Sequence, residues 1–114
     1  MNTIQQFNGE YRYLSNFWRC SFWWNSFLWP SSEHAYQAAK SLDHEDWVRL
    51  CSASITPGQV KRMGRALVIR PDWEQIKYEV MLSIVREKFH QDQNLMDKLN
   101  ATAPCVLEEG NSWG

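Results

Sequence analysis

Four of the chain's seven tryptophans fall between Trp18 and Trp29, in a stretch that also holds Phe22, Phe27 and Leu28. Rings at that density must be largely withdrawn from water, and aromatic residues fit a pleated, half-buried surface. Residues 4 to 29 as a whole are rich in β-branched and aromatic residues and are broken at Gly9, Asn16 and Asn25-Ser26. That pattern reads as short strands and turns, with a hairpin over Cys20 to Trp29. A lone hairpin is marginal in water, and 114 residues make one domain's worth of chain, so the rest of the sequence has to supply its cover.

From residue 31 the period changes toward that of a helix. Pro30-Ser31-Ser32-Glu33 combines a stop, two candidate N-caps and an acid in the first turn, and predicts a helix to about Lys40. On it Tyr36 and Ala39 share one side, while Glu33, Gln37 and Lys40 share the other. Asp43 is placed to cap a short helix burying Trp47, Leu50 and Cys51. Thr56-Pro57-Gly58-Gln59 joins an N-cap, proline at the first helical position and glutamine at the capping-box position. Asp72 with Gln75 opens the clearest helix, with Trp73, Ile76, Val80, Met81, Ile84 and Val85 as its apolar stripe to about His90. A shorter helix spans Leu95 to Asn100 and ends before Pro104. Cys105 to Leu107 reads as a last strand and Gly110 to Gly114 as a turn.

The net charge of −1 gives no whole-molecule field for nucleic-acid phosphates or an anionic membrane, so an anion site has to be local. Three cysteines without C-x-x-C spacing fit neither a disulfide framework nor a zinc site. The first residues show no basic and then apolar leader pattern, and no apolar run approaches a membrane span. A soluble, cytoplasmic protein without membrane association is therefore expected. The histidines His34, His44 and His90 fall on different predicted elements, and no dinucleotide, P-loop, zincin or hydrolase-elbow motif is present, so neither metal nor cofactor is expected.

Three constellations carry polar chemistry. Glu33, Gln37 and Lys40 put a carboxylate, an amide and an ammonium within about two turns of one helix. The alternative is a solvated helix face. Lys61, Arg62, Arg65 and Arg70 lie in ten residues without an acid and suit a phosphate. The alternative there is the solvent face opposite Val60, Met63 and Leu67. Phe7 to Glu10 and Leu14 to Phe17, with Trp73 and the 110–114 turn, offer rings beside amide and hydroxyl groups, as a pocket for a flat base requires. Its alternative is hydrophobic core.

The motifs Phe7-x-Gly9-Glu10-Tyr11, Leu14-Ser15-Asn16-Phe17 and Trp29-Pro30-Ser31-Ser32-Glu33-His34-Ala35-Tyr36-Gln37-Ala38-Ala39-Lys40 resemble those of the NADAR, or YbiA-like, family. Thr56-Pro57-Gly58-x-x-Lys61-Arg62-x-Gly64-Arg65, Arg70-Pro71-Asp72-Trp73 and Glu109-Gly110-Asn111-x-Trp113-Gly114 continue the resemblance over nearly the whole chain. It implies an α-rich α+β domain, here a single domain over 1–114 with a short N-terminal hairpin or small sheet packed on about five helices. It also implies an N-glycosidase that hydrolyses ribosylamine intermediates of riboflavin biosynthesis or removes ADP-ribose from guanine in nucleic acid. Glu33 matches the family's functional glutamate, Trp73 its functional tryptophan, and Lys40 the lysine that closes the helix motif. Asn16 and Phe17 match the pocket loop, and Asn111 and Trp113 stand in the C-terminal turn.

On this reading Glu33 stabilises the positive charge of the breaking ribosyl bond. Lys40 either attacks the open-chain sugar as a Schiff-base nucleophile or binds phosphate. Trp73 and Phe17 stack the base, and the cluster from Lys61 to Arg65 holds phosphate. Relative to the family the chain is expected to lack a C-terminal segment that begins with an acidic residue, and its hairpin turn, Asn25-Ser26, lacks the Asp-Gly type common there. The alternative function is a non-catalytic module that binds ADP-ribose or a related nucleotide. The sequence leaves the oligomeric state open.

Overall fold

The computed structural model describes residues 3–4, 14–101 and 106–107. Its elements run β1 (Thr3–Ile4), β2 (Phe22–Trp24), β3 (Phe27–Trp29), α1 (Ser32–Ala39), α2 (His44–Leu50), α3 (Pro57–Gly64), α4 (Trp73–His90), α5 (Gln93–Ala101) and β4 (Val106–Leu107). The result is the expected helical α+β fold, five helices and a hairpin. One pairing was not expected: β1 lies parallel to β4, with Thr3 opposite Val106 and Ile4 opposite Leu107.

The hairpin pairs Phe22 with Trp29, Trp23 with Leu28 and Trp24 with Phe27. Its loop is two residues long, with Asn25 at φ 49° and Ser26 at φ 68°, the doubly left-handed backbone that matches the twist of the strands. Period-2 alternation turns Phe22, Trp24 and Trp29 inward and leaves Trp23 and Leu28 exposed. Trp24 stacks on Trp47 of α2 with ring centroids 5.5 Å apart and planes 9° apart, and Trp29 meets Trp47 edge-on at 5.7 Å. Most of the crowded tryptophans are thus core, as their density requires, and Trp23 is the exception. Trp18 packs instead with Leu14, Phe89 and Leu95 in a second, smaller cluster.

The helix starts follow local chemistry. Thr56 and Gln59 form the reciprocal capping box of α3, and Asp43 caps α2 through Glu45 N–H. Asp72 precedes α4 but makes no side-chain cap, because both its oxygens are held by Arg70, at 2.6 and 3.1 Å. The stripe of α4 behaves as its spacing predicts: Trp73, Met81 and Ile84 are buried, and Ile76, Val80 and Val85 pack beside them.

Helix α1 sits in the middle, packed against α2, α3, α4 and β3. Every residue from Trp29 to Ser41 is buried. The face of Glu33, Gln37 and Lys40 is therefore not a solvated one.

Candidate active site

Ser31, in extended backbone, caps α1 by accepting from His34 N–H at 3.2 Å. The next orphan donor, Glu33 N–H, is satisfied at 3.0 Å by the carbonyl of Asn16. That carbonyl belongs to a turn in which Ser15 Oγ accepts from Phe17 N–H at 3.1 Å, and Lys88 Nζ donates to the Ser15 carbonyl at 2.9 Å from α4. The loop carrying Asn16 and Phe17 is thereby docked on the start of α1. Asn16 is buried and Phe17 is 38% exposed.

Glu33 is 5% exposed, and its Oε1 accepts from Gln37 Nε2 at 2.8 Å. Burial pushes the Glu33 carboxyl above its ordinary range, opposed by the Gln37 hydrogen bond and by the charges of Lys61 and Lys40. Lys40, one turn beyond Gln37, is 7% exposed with its ammonium 5.7 Å from the centre of the Tyr36 ring. Burial lowers its pKa, Glu33 raises it, and Lys61 and Lys77 lower it further. Tyr36 is buried and its hydroxyl is pushed up to about 12, first by burial and then by Glu33.

The basic cluster divides. Lys61 is half-buried, with Nζ 5.8 Å from the centre of the Phe17 ring and its charge acting on both Glu33 and Lys40. Arg62 and Arg65 are exposed. Arg70 is committed elsewhere: its guanidinium holds Asp72, and its N–H donates to the Lys40 carbonyl at 2.7 Å. Val60 is buried and Met63 and Leu67 pack on the core, so for Arg62 and Arg65 the solvent-face alternative describes the geometry.

Trp73 differs from the stacking platform its position suggests. It is 3% exposed and its ring packs against Tyr36, centroids 5.1 Å apart, so no open face remains for a base. What it does retain is an indole N–H that is buried without a partner. Ser32 Oγ, Tyr36 Oη and Gln37 Oε1 are buried in the same unpaired condition. Sequence reasoning assigned Tyr36 to the apolar side and read Ser32 only as a candidate N-cap, a role that falls to Ser31, since nothing in their spacing distinguishes an unpaired buried hydroxyl from a packed one. Asn111 and Trp113, together with Phe7 to Glu10, lie outside the described residues.

Among the described residues no group of three or more His, Cys, Asp and Glu side chains comes together as a metal site would require. His34 is fully buried and spoken for, with Nε2 donating to the Ile55 carbonyl and Nδ1 beside Ser31 Oγ, both at 2.7 Å. Burial lowers its pKa, which suits a neutral imidazole accepting from the serine hydroxyl. No helix of the described residues is long and apolar enough to cross a membrane.

Fold and helix together define a class: a small α+β domain whose fully buried first helix brings acid, amide and amine side chains between an aromatic hairpin and three other helices. The NADAR domain model matches residues 4–112, and the chain belongs to the NADAR family. It is similar to a riboflavin biosynthesis protein of Vibrio vulnificus, 40% identical in an alignment of 108 residues that covers 90% of this chain and 29% of that protein. It is also similar to the N-glycosidase YbiA of Escherichia coli, 37% identical over 92 residues, 75% of this chain and 57% of that one. The chain thus spans less than two thirds of the length of these relatives. The NMR structure of E. coli YbiA superposes with a TM-score of 0.81 at 36% identity, covering 96% of this chain and 68% of that one. The family's named members therefore include N-glycosidases, and the fold is theirs.

Proposed function

We propose that this chain hydrolyses the N-glycosidic bond of a phosphorylated ribosyl or ADP-ribosyl compound, either a ribosylamine intermediate of riboflavin biosynthesis or ADP-ribosylated guanine in nucleic acid. The observation that carries the reading is a buried carboxylate, Glu33, bonded to Gln37 and within electrostatic reach of Lys40 and Lys61, in a family with members named N-glycosidase.

When the bond between C1′ and the base nitrogen breaks, its electron pair leaves with the nitrogen and positive charge develops on C1′ and the ring oxygen. A fixed carboxylate beside that centre stabilises the charge as it forms, and Glu33 is assigned that task. Water then adds to C1′, and the proton it loses ends on the departing base. Lys40 supports a second route on the open-chain form of a ribosylamine. Its lowered pKa raises the share of neutral amine, which adds to C1 and expels the base amine to leave a Schiff base. Water hydrolyses that imine, returning the lysine amine and releasing the sugar aldehyde.

Lys61, assisted by Arg65, is assigned to the substrate phosphate and Phe17 to stacking on the base. Trp73 is assigned as a hydrogen-bond donor. Asn16 holds the loop, and Asn111 and Trp113 are proposed as further substrate-binding residues. The test is product analysis by mass spectrometry on a pyrimidine ribosylamine phosphate and an ADP-ribosylated guanine oligonucleotide. The reading requires release of ribose phosphate or ADP-ribose, and borohydride added during turnover should leave a sugar adduct on Lys40. ADP-ribose binding by calorimetry with no turnover of either substrate would instead establish the non-catalytic binding module.

A further inference from the structure

Four residues along a helix places Gln37 directly over Glu33 on the same face. Its amide is 3% exposed and divides its two ends between two helices: Nε2 donates to Glu33 Oε1 at 2.8 Å, and Oε1 lies against α3 without a hydrogen-bond partner. The α3 residue against this amide is Gly64. A β-carbon there would stand 1.9 Å from Gln37 Oε1 and 2.7 Å from Gln37 Cδ, so the amide fills room that only glycine leaves.

Neither feature helps the fold by itself. Glycine in a helix is unfavourable, and a buried acceptor without a donor carries a desolvation penalty. Both become intelligible if the amide has to stand where it does and face one way. Turned over, it would set its oxygen against the Glu33 carboxylate, two acceptors with no proton between them.

We propose that Gln37 is a positioning residue for Glu33: clamped by the close approach of Gly64, its amide donates to Oε1 and fixes the carboxylate in one orientation. This rests on the reading of Glu33 as the working carboxylate. The other charged and titratable groups facing Glu33 are Lys40 and Tyr36 on α1 and Lys61 on α3, and none of them replaces a neutral donor at hydrogen-bond distance.

The experiment is a carbon-13 NMR titration of the Glu33 carboxyl in the full chain without substrate. Gln37→Met keeps length and removes the donor, and the titration midpoint moves up, because the lost hydrogen bond stabilised the charged form. Gly64→Ala displaces the same amide and moves the midpoint in the same direction. In a Gln37→Ala background, where the added methyl meets no amide, Gly64→Ala causes no further movement. With a pyrimidine ribosylamine phosphate, the acid limb of kcat moves up in parallel while KM holds.

A midpoint unmoved or lowered in folded Gln37→Met, or an equal Gly64→Ala effect with and without Gln37, overturns the proposal. If Gly64→Ala does not fold, Gln37→Met decides by the same criterion. Because the titration needs no substrate, its failure removes the positioning role alone. Wild-type turnover by Glu33→Gln would instead remove the reading on which that role rests.

Discussion

The two sides of α1 treat polar atoms in opposite ways. Toward the hairpin three indole donors are matched: Trp24 Nε1 to Ser83 Oγ at 2.9 Å, Trp29 Nε1 to the Trp24 carbonyl at 2.8 Å and Trp47 Nε1 to the Ser41 carbonyl at 2.9 Å. His34 on the same helix uses both ring nitrogens. Toward Trp73 and α3 the buried Ser32 Oγ, Tyr36 Oη, Gln37 Oε1 and Trp73 Nε1 have no partner, and three ionisable groups, Glu33, Lys40 and Tyr36, are displaced from their ordinary pKa by burial. Folded proteins rarely leave buried polar atoms unmatched, so one side is a paired scaffold and the other is the side to which the proposed function assigns its polar contacts.

The sharpest way to break this contrast is substitution on each side. Trp29→Ala empties a fully buried site in the aromatic cluster and should cost ~3–5 kcal/mol of stability, read from the denaturant midpoint. Ser83→Ala removes the acceptor of Trp24 Nε1 and should cost about 1 kcal/mol, since it leaves a half-buried donor unmatched. Tyr36→Phe is the mirror experiment. It deletes a hydroxyl that has no partner, so stability should hold or rise by up to ~1 kcal/mol while KM for the N-riboside rises. A destabilised Tyr36→Phe protein would mean that the two sides are not different in kind. Smallest is Ser26→Gly, which relieves a left-handed backbone at φ 68° and should add roughly 0.5–1 kcal/mol without touching turnover.

Legibility followed the range of the interaction. The Thr56 capping box and the Asn25-Ser26 turn are written in neighbouring residues, and both stand where the sequence puts them. Asp72 shows the limit even at short range, for Arg70, two residues away, takes the carboxylate that would have capped α4. The parallel pairing of Thr3–Ile4 with Val106–Leu107 could not be read, because two-residue strands carry no period and their partner lies about a hundred residues off. For α1, the polar residues Glu33, Gln37 and Lys40 mimic a solvated face, and only packing by α3 and α4 reveals it as buried. The pairing of Glu33 with Gln37 was implicit in the i, i+4 spacing, whereas the role of Gly64 emerges only where two helices meet.

The central claim is that Glu33 is held as a buried acid for chemistry at the expense of stability, and Glu33→Gln tests both halves at once. The folded-state pKa of Glu33 lies above its unfolded value, so its stabilising contribution is complete below the unfolded value and is lost as pH rises through the folded one. As pH rises through the raised pKa, ionisation of Glu33 therefore costs the fold stability relative to the protonated acid, whose neutral form glutamine mimics. The decisive measurement is turnover of an N-riboside together with thermal melts of wild type and Glu33→Gln across pH. The account predicts a loss of turnover of about a hundredfold or more. It also predicts that Glu33→Gln melts higher at pH 7, an advantage that vanishes below about pH 4, the ordinary glutamate range. A Glu33→Gln protein that turns over at the wild-type rate, or that melts below wild type at pH 7, would contradict it.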